Sequence, residues 1–236
     1  ISNESDFWEL GGDYEHTFIN GNRWRGLFII NRNKDDRTRE RFNLDENNLK
    51  DIFLNTFNQY EEEIFRTSYS LNLTQNQDLE FGIERAKTTL ESSLRLGLLA
   101  DNSKSSEFGG LTPANSSNAV VQEVRYEGFV IHNWQFNERM SLESTLIYEE
   151  STISQSGDIS KERDFSFIRP KVDYRFDITP SLQFRATIEK DVAQLSFNDF
   201  TANIPPNTDD DQNTFAGNPD IRQEQSWRYD LNLEYR

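Results

Sequence analysis

A chain of 236 residues is long enough for one sizeable all-β domain or two smaller ones. Only 34% of it is hydrophobic, yet 13% is aromatic, with eighteen Phe, so its apolar content sits in large rings that suit amphipathic strands better than a thick aliphatic core. The formal charge of −16 argues against a nucleic-acid binder, which needs a basic stripe, and the lack of cysteine excludes disulfides and thiolate metal sites.

No window approaches 18 consecutive apolar residues, so a transmembrane helix is excluded. A transmembrane barrel is not, because its strands need only alternate. No charged region followed by an apolar run opens the chain, so any signal peptide is expected to have been removed or to lie outside it.

The first strand is expected over 6–19, with Trp8, Leu10, Tyr14 and Phe18 on one face and Glu9, Asp13 and Glu15 largely on the other. Asn20, Gly21 and Asn22 then signal a tight turn. The second strand sets Trp24, Phe28 and Ile30 against Arg23 and Arg25, and dissolves into a charged run at 31–41. From 45 to 63 the period changes: Leu49, Ile52, Phe53, Thr56, Phe57 and Tyr60 follow helical spacing, with Asp45 as cap. This predicts a short amphipathic helix within a long loop, the alternative being two extended segments of that loop.

Alternation returns with Phe65, Thr67, Tyr69, Leu71 and Leu73, and after a turn at 75–78 with Leu79, Phe81 and Ile83. The apolar parity then slips to Leu90, Leu94, Leu96 and Leu98, which predicts a bulge near 86–89 or a strand end there. Residues 101–117 read as a loop. The clearest alternation spans 120–191, where Val124, Tyr126, Val130, His132, Trp134 and Phe136 interleave with Arg125, Glu127, Asn133 and Gln135. Past a break at 137–139, Met140, Leu142, Leu146 and Tyr148 interleave with Ser141, Glu143, Thr145 and Glu149. Ile168, Val172, Tyr174 and Phe176 continue the pattern, with Pro170 suggesting a bulge or irregular edge, and Leu182, Phe184, Ala186 and Ile188 come after the turn at 178–180. After a polar excursion at 192–223, Trp227, Tyr229, Leu231, Leu233 and Tyr235 form the last apolar row.

Short connections near 20–22, 75–78, 137–139 and 177–180 alternate with long ones at 31–64, 100–119, 151–163 and 192–223. In an up-and-down meander all the short turns therefore gather at one end, as in outer-membrane barrels with short periplasmic turns and long extracellular loops. A soluble antiparallel sheet also has one polar and one apolar face, but no reason for that polarity. The fold class expected is therefore all-β, an antiparallel meander of about nine strands forming part of a transmembrane β-barrel. Nine is odd, whereas bacterial single-chain barrels close with an even number, so the wall is expected to be incomplete.

Three stretches, VRYEGFVIHNWQFNERMSLESTLIYEES (124–151), FIRPKVDYRFDITPSLQFRATIEKD (167–191) and FAGNPDIRQEQSWRYDLNLEY (215–235), resemble the barrel of TonB-dependent outer-membrane receptors. Gly217, Asn218, Pro219, Asp220 and Glu224 match a loop of that family, with Trp227, Tyr229 and Glu234 fitting the strand after it; Gln223 departs from it where Pro is usual, and the residues before the segment 196–200 lack the family's Arg and Pro. The resemblance implies a barrel of roughly 22 strands around an N-terminal plug. No plug is recognisable in residues 1–236, which are expected to be an internal piece of a longer receptor. It further implies an outer-membrane location, contact with lipid, a transported ligand such as a ferric siderophore, cobalamin or glycan, and energy from TonB acting on that plug. A passive outer-membrane barrel and a soluble β-rich binding module are the alternatives.

The polar row Arg125, Glu127, Lys171, Asp173, Arg175, Arg185, Glu189, Arg228, Asp230 and Glu234 is expected to face the lumen, either touching plug or substrate or forming cross-strand pairs that stiffen the wall. Asp209, Asp210 and Asp211, with Asn207 and Asn213, offer oxygen ligands for a hard cation or are simply solvated; Glu61, Glu62 and Glu63 make a lesser run. His16 and His132 lie on apolar faces with no carboxylate pattern around them. No phosphate loop, nucleophile elbow or acid/base pair appears, so neither enzymatic activity nor a cofactor is expected.

Overall fold

In a computed structural model, which describes residues 1–43, 48–100, 103–201 and 217–235, the chain is a single antiparallel sheet. Nine strands pair in chain order, each with the next: β1 (Ser2–Thr17), β2 (Arg23–Asn43), β3 (Leu49–Thr74), β4 (Gln77–Leu98), β5 (Thr112–Asn137), β6 (Met140–Gly157), β7 (Lys161–Thr179), β8 (Leu182–Val192) and β9 (Gln225–Tyr235). The up-and-down meander read from the sequence is borne out. The sheet does not close, and β1 and β9 are its two edges. Among the described residues the only helical pieces are two short 3₁₀ turns, Ser106–Phe108 and Phe197–Phe200, and no helix is long and apolar enough to cross a membrane.

The short turns sit where alternation pauses. Phe18 N–H bonds to Asn22 O at 2.8 Å around Gly21, whose φ of 82° a side chain would strain. Arg139 N–H bonds to the Asn137 side chain at 2.9 Å in the β5–β6 turn.

The opposite end differs from expectation. The charged run at 31–41 is not loop: β2 continues to Asn43 and pairs with β3 throughout. The expected helix at 45–63 is strand from Leu49 onward, and Asp45, its supposed cap, lies outside the described residues. Helical spacing misled because the apolar residues serve two faces. Ile52 and Leu54 face Leu98 and Leu96 of β4, while Phe53 and Phe57 point to the other side. Pairing along a whole hairpin outweighs a local period. The β6–β7 connection likewise shrinks, since β6 runs to Gly157 and β7 starts at Lys161.

Neither expected irregularity is a bulge. The β3–β4 and β4–β5 registers run unbroken through 86–89. The β6–β7 register passes Pro170 without a shift, and the β8 ladder begins one residue on, at Lys171, so the missing N–H stands where that second ladder stops.

Burial is inverted relative to a soluble sheet. Charged and polar residues such as Glu123, Glu149, Ser151 and Gln155 are buried, whereas Trp24, Phe65, Phe81, Tyr148, Tyr229 and Leu231 on the opposite face are exposed. A sheet that shields only one face, with no second layer, is curled around that face, and the polar face is therefore the concave one. Two apolar clusters also lie on the concave side, both toward the long-loop end: Ile52, Leu54, Leu94 and Leu96, and Leu90, Val121, Ile153, Phe197 and Phe200.

Candidate functional site

Strand pairing places Arg66, Glu84, Glu127 and Glu149 directly opposite one another across β3, β4, β5 and β6. Because side chains repeat every second residue, Arg125 joins the same face beside Glu127, and Arg169 joins it from β7. The result is a continuous ionic row. Arg66 lies 3.6 Å from Glu84, Arg125 lies 3.6 Å from Glu84 and 3.1 Å from Glu127, and Arg169 lies 2.9 Å from Glu127 and 3.0 Å from Glu149. The Arg66 guanidinium also stacks over the Phe129 ring at 4.3 Å. Three guanidinium groups thus alternate with three carboxylates over five strands, a cross-strand arrangement that holds each inner charge between opposite partners. Arg169 Nε, at the buried centre of this patch, has no hydrogen-bond partner among the described residues.

The remaining predicted wall residues lie on the same face toward β9. Asp173 accepts from Thr187 at 2.9 Å, Arg175 donates to Asp177 at 2.8 Å, and Arg185 donates to Gln183 at 2.8 Å. Arg228 grips Glu189 at 2.8 Å and Asp191 at 3.0 Å. Lys171 stands opposite Glu189, Asp230 opposite Thr187 and Glu234 opposite Gln183. All ten predicted residues therefore share one face. They do not converge on one point. Asp173, Arg175 and Arg185 line a polar recess of about 310 Å³ with Asp78, Asn133 and Glu143 near the short turns, well along the face from the ionic row.

Arg66, Glu84, Glu149 and Arg169 lie in this wall but outside the ten-residue row named from the sequence, although Glu149 already falls on the polar side of its strand there. Parity alone would have recovered them, since Arg169 is two residues from Lys171 and Glu149 two from Ile147 and Ser151 on the same face.

Residues 193–201, which follow β8, fold back over the concave face, where Phe197 and Phe200 fill the apolar cluster around Leu90, Val121 and Ile153. Tyr60 donates to Asn198 at 2.6 Å, and Gln155 donates to the Phe200 carbonyl at 3.0 Å. Burial, partly offset by the Asn198 bond, pushes the Tyr60 phenol above its usual range. The motif residues turn out to be a clamp. Asn218 N–H bonds to Asp199 O at 2.7 Å, Arg163 donates to the Pro219 carbonyl at 3.2 Å and also to that of Ile221, and Asp220 pairs with Lys161. The Lys161 bond and charge hold the Asp220 carboxyl below the usual carboxylate range. Glu224 closes the base through its carbonyl, which accepts from Ala193 N–H at 2.9 Å. Gly217 is required by space: a Cβ there would sit 2.0 Å from the Phe200 carbonyl oxygen.

His132 meets Gln77 at 3.2 Å and His16 packs edge-on against Phe18, both on the apolar face. Glu62 accepts from Asn31 at 3.0 Å. Asp209, Asp210 and Asp211, with Asn207 and Asn213, lie outside the described residues, and no group of metal-ligating side chains occurs among the described residues.

The profile of the family described as TonB dependent receptor-like, beta-barrel matches residues 2–236. No curated protein sequence matches this one. Among solved structures, the ferric yersiniabactin uptake receptor FyuA from Yersinia pestis superposes with a TM-score of 0.67 at 13% identity, covering 98% of this chain and 33% of that one. The alcaligin outer-membrane receptor FauA from Bordetella pertussis gives 0.62 at 12% identity, covering 98% and 34%. The copper transporter OprC gives 0.67 at 12%, covering 97% and 37%. At such identities the likeness is one of fold, and this chain spans about a third of each of those proteins.

Proposed function

Because this chain belongs to the TonB-dependent receptor β-barrel family, we propose that it forms wall of an outer-membrane active-transport receptor that imports a scarce ligand. The observation that carries this reading is the inverted burial. Leaving Phe65, Phe81 and Tyr148 open to solvent while Glu149 is 1% exposed is costly in water. In a bilayer it is the stable arrangement, because lipid covers the aromatic face and the lumen keeps the charges.

The exposed apolar rows have the right length. On β5, Tyr126, Val130, Trp134 and Phe136 bound about the 9–11 residues that a tilted strand needs to cross the hydrocarbon core. Wall charges then face the barrel interior, where Glu149, Arg169 and their neighbours meet a plug or a passing ligand. Import is powered by TonB pulling on that plug, so the wall supplies shape and charge and carries out no covalent chemistry. Ferric siderophore, cobalamin and glycan are the cargo classes, and the solved neighbours named for ferric yersiniabactin and copper favour a metal-bearing one.

Deleting the gene and measuring growth on each limiting nutrient, with and without TonB, tests this. The expected result is loss of uptake of one nutrient, matched by loss of TonB. Uptake that survives without TonB would instead identify a passive barrel, and a chain recovered as a monomer in detergent-free buffer would remove the membrane reading altogether.

A further inference from the structure

The ionic row leaves one buried carboxylate out. Glu84, Glu127 and Glu149 share Arg66, Arg125 and Arg169, whereas Glu123, two residues along β5 from Arg125 and only 7% exposed, makes no ion pair among the described residues. Thr88 stands opposite it on β4 and Ile153 opposite it on β6. Past Ile153, Arg163 of β7 is spent on the Pro219 and Ile221 carbonyls, and on the returning segment 193–201 the Asp199 charge acts on Tyr60 of β3. The cation nearest to Glu123 is therefore Arg125, which Glu84 and Glu127 already hold.

Glu123 also adjoins the apolar cluster. Leu90, Val121 and Ile153, its neighbours toward the long-loop end, are the residues that Phe197 and Phe200 pack against. An ionised carboxylate is badly placed there. Burial pushes the Glu123 carboxyl above its usual range; the Arg125 charge and the Ser151 hydroxyl offset part of that rise, and the Glu127 charge adds to it. Glu123 lies three residues beyond Tyr126, on the long-loop side of the proposed lipid band.

An independent observation supplies its partner. Gln155 lies diagonally across from Glu123, two residues past Ile153 on the same face, within reach of a long side chain. Its Nε2 donates to the Phe200 carbonyl at 3.0 Å, and its buried Oε1 has no hydrogen-bond partner among the described residues. A carboxylate has no proton to offer that oxygen, but a carboxylic acid has one.

We infer that Glu123 is a proton-operated latch on the segment 193–201: its neutral carboxyl donates to Gln155 Oε1 and so ties β5, through Gln155, to Phe200, and release of that proton to solvent frees the segment. The neutral form belongs to the closed segment. Closure is therefore fully supported below the carboxyl's ordinary value of 4.5 and is lost as pH rises through the higher value that it has when covered.

The test is hydrogen exchange of the intact receptor in detergent, followed over residues 197–201 between about pH 4 and pH 8 with the intrinsic rate removed. Protection there should fall with rising pH by up to about tenfold per pH unit, the limit that one proton sets, while protection along 128–132 of β5 stays constant. Glu123→Gln carries an amide N–H at every pH, so its profile should be flat and high. Glu123→Leu is equally neutral but has no donor, so its profile should be flat and low. Wild-type protection that ignores pH, a Glu123→Gln profile that still slopes, or Glu123→Leu protected as well as Glu123→Gln would each overturn the inference. So would protection along β5 falling in step with the segment, since the whole wall would then be opening. Exchange is read without uptake, so the latch stands or fails apart from the transport reading.

Discussion

Between Leu79 and Ile83, β4 turns its large apolar side chains to the open face, and between Ala86 and Leu96 it turns them to the concave one, with no register shift in between. The same exchange happens on β3, where Phe65 and Tyr69 point outward but Ile52 and Leu54 point inward. A sheet cannot change which residues share a face without a slip, so what changes is the surroundings. Near the short turns the outside is apolar and the inside wet. From Arg85 onward the outward residues of β4 are polar, and the inside makes its own core from Leu90, Leu94 and the returning Phe197 and Phe200. On the proposed membrane placement, parity in this chain therefore records where the lipid ends, and the long-loop end is a set of paired hairpins that extends the wall beyond it.

The largest expected effect strikes the upper core. Leu90 has no exposed surface, and Leu90→Asp buries an unpaired carboxyl there, costing about 4 kcal/mol or more. Denaturant unfolding of the detergent-solubilised receptor should show it. An unchanged midpoint would break the claim that the upper hairpins have a core.

Next comes a matched pair on one face of one strand. Phe81→Arg places a charge in the lipid band and should cost about 2–4 kcal/mol, less toward the interface, whereas Glu91→Arg, ten residues on, should stay within about 0.5 kcal/mol. Equal costs at the two positions would dissolve the distinction between the regions.

The lower region was legible in the sequence and the upper one was not, for a physical reason. Where one face is apolar and the other polar throughout, as along Tyr126, Val130 and Trp134 against Arg125 and Glu127, alternation is strict and a period of two suffices. Toward the long-loop end neither face is uniformly apolar or polar, so Phe53 and Phe57 face out while Ile52 and Leu54 face in, and the summed pattern imitates a helix. The charged run in β2 looked like loop for the same reason: Arg32, Lys34 and Asp36 lie on the water side of a strand whose pairing with β3 is invisible locally. The ionic row was half visible, because parity gives the face of Arg125 and Glu127 but the register that brings Arg169 to Glu149 is a property of two paired strands.

Within the wall, Glu149→Gln removes one carboxylate from the row and leaves Arg169 with Glu127 alone. The expected cost is about 1–3 kcal/mol, below that of the core substitution because half the pairing survives. Adding Arg169→Met should recover part of the loss, since an apolar replacement leaves no buried charge unmatched. Strict additivity in this cycle would show that the two residues are not coupled, and that the row is a coincidence of parity.

The smallest effect belongs to the hairpin tip, and its sign distinguishes the two regions once more. Arg41 donates to Asp51 at 3.0–3.2 Å, and that hydrogen bond, followed by the attraction of its charge, outweighs desolvation to hold the Asp51 carboxyl below its ordinary value of 3.8. A lowered folded pKa means that the pair stabilises the tip fully above the unfolded value and that this contribution is lost as pH falls through the folded one. The window therefore opens below about pH 4. Arg41 is roughly half exposed and its partner a fifth, so solvent screening limits the contribution to a few tenths of a kcal/mol. Hydrogen exchange at the β2–β3 tip should thus quicken slightly between pH 5 and pH 3, after correction for the intrinsic rate, and Asp51→Asn should flatten that change while leaving the lipid band untouched. If protection along β5 fell in step with the tip over this window, the upper hairpins and the membrane wall would be one cooperative unit.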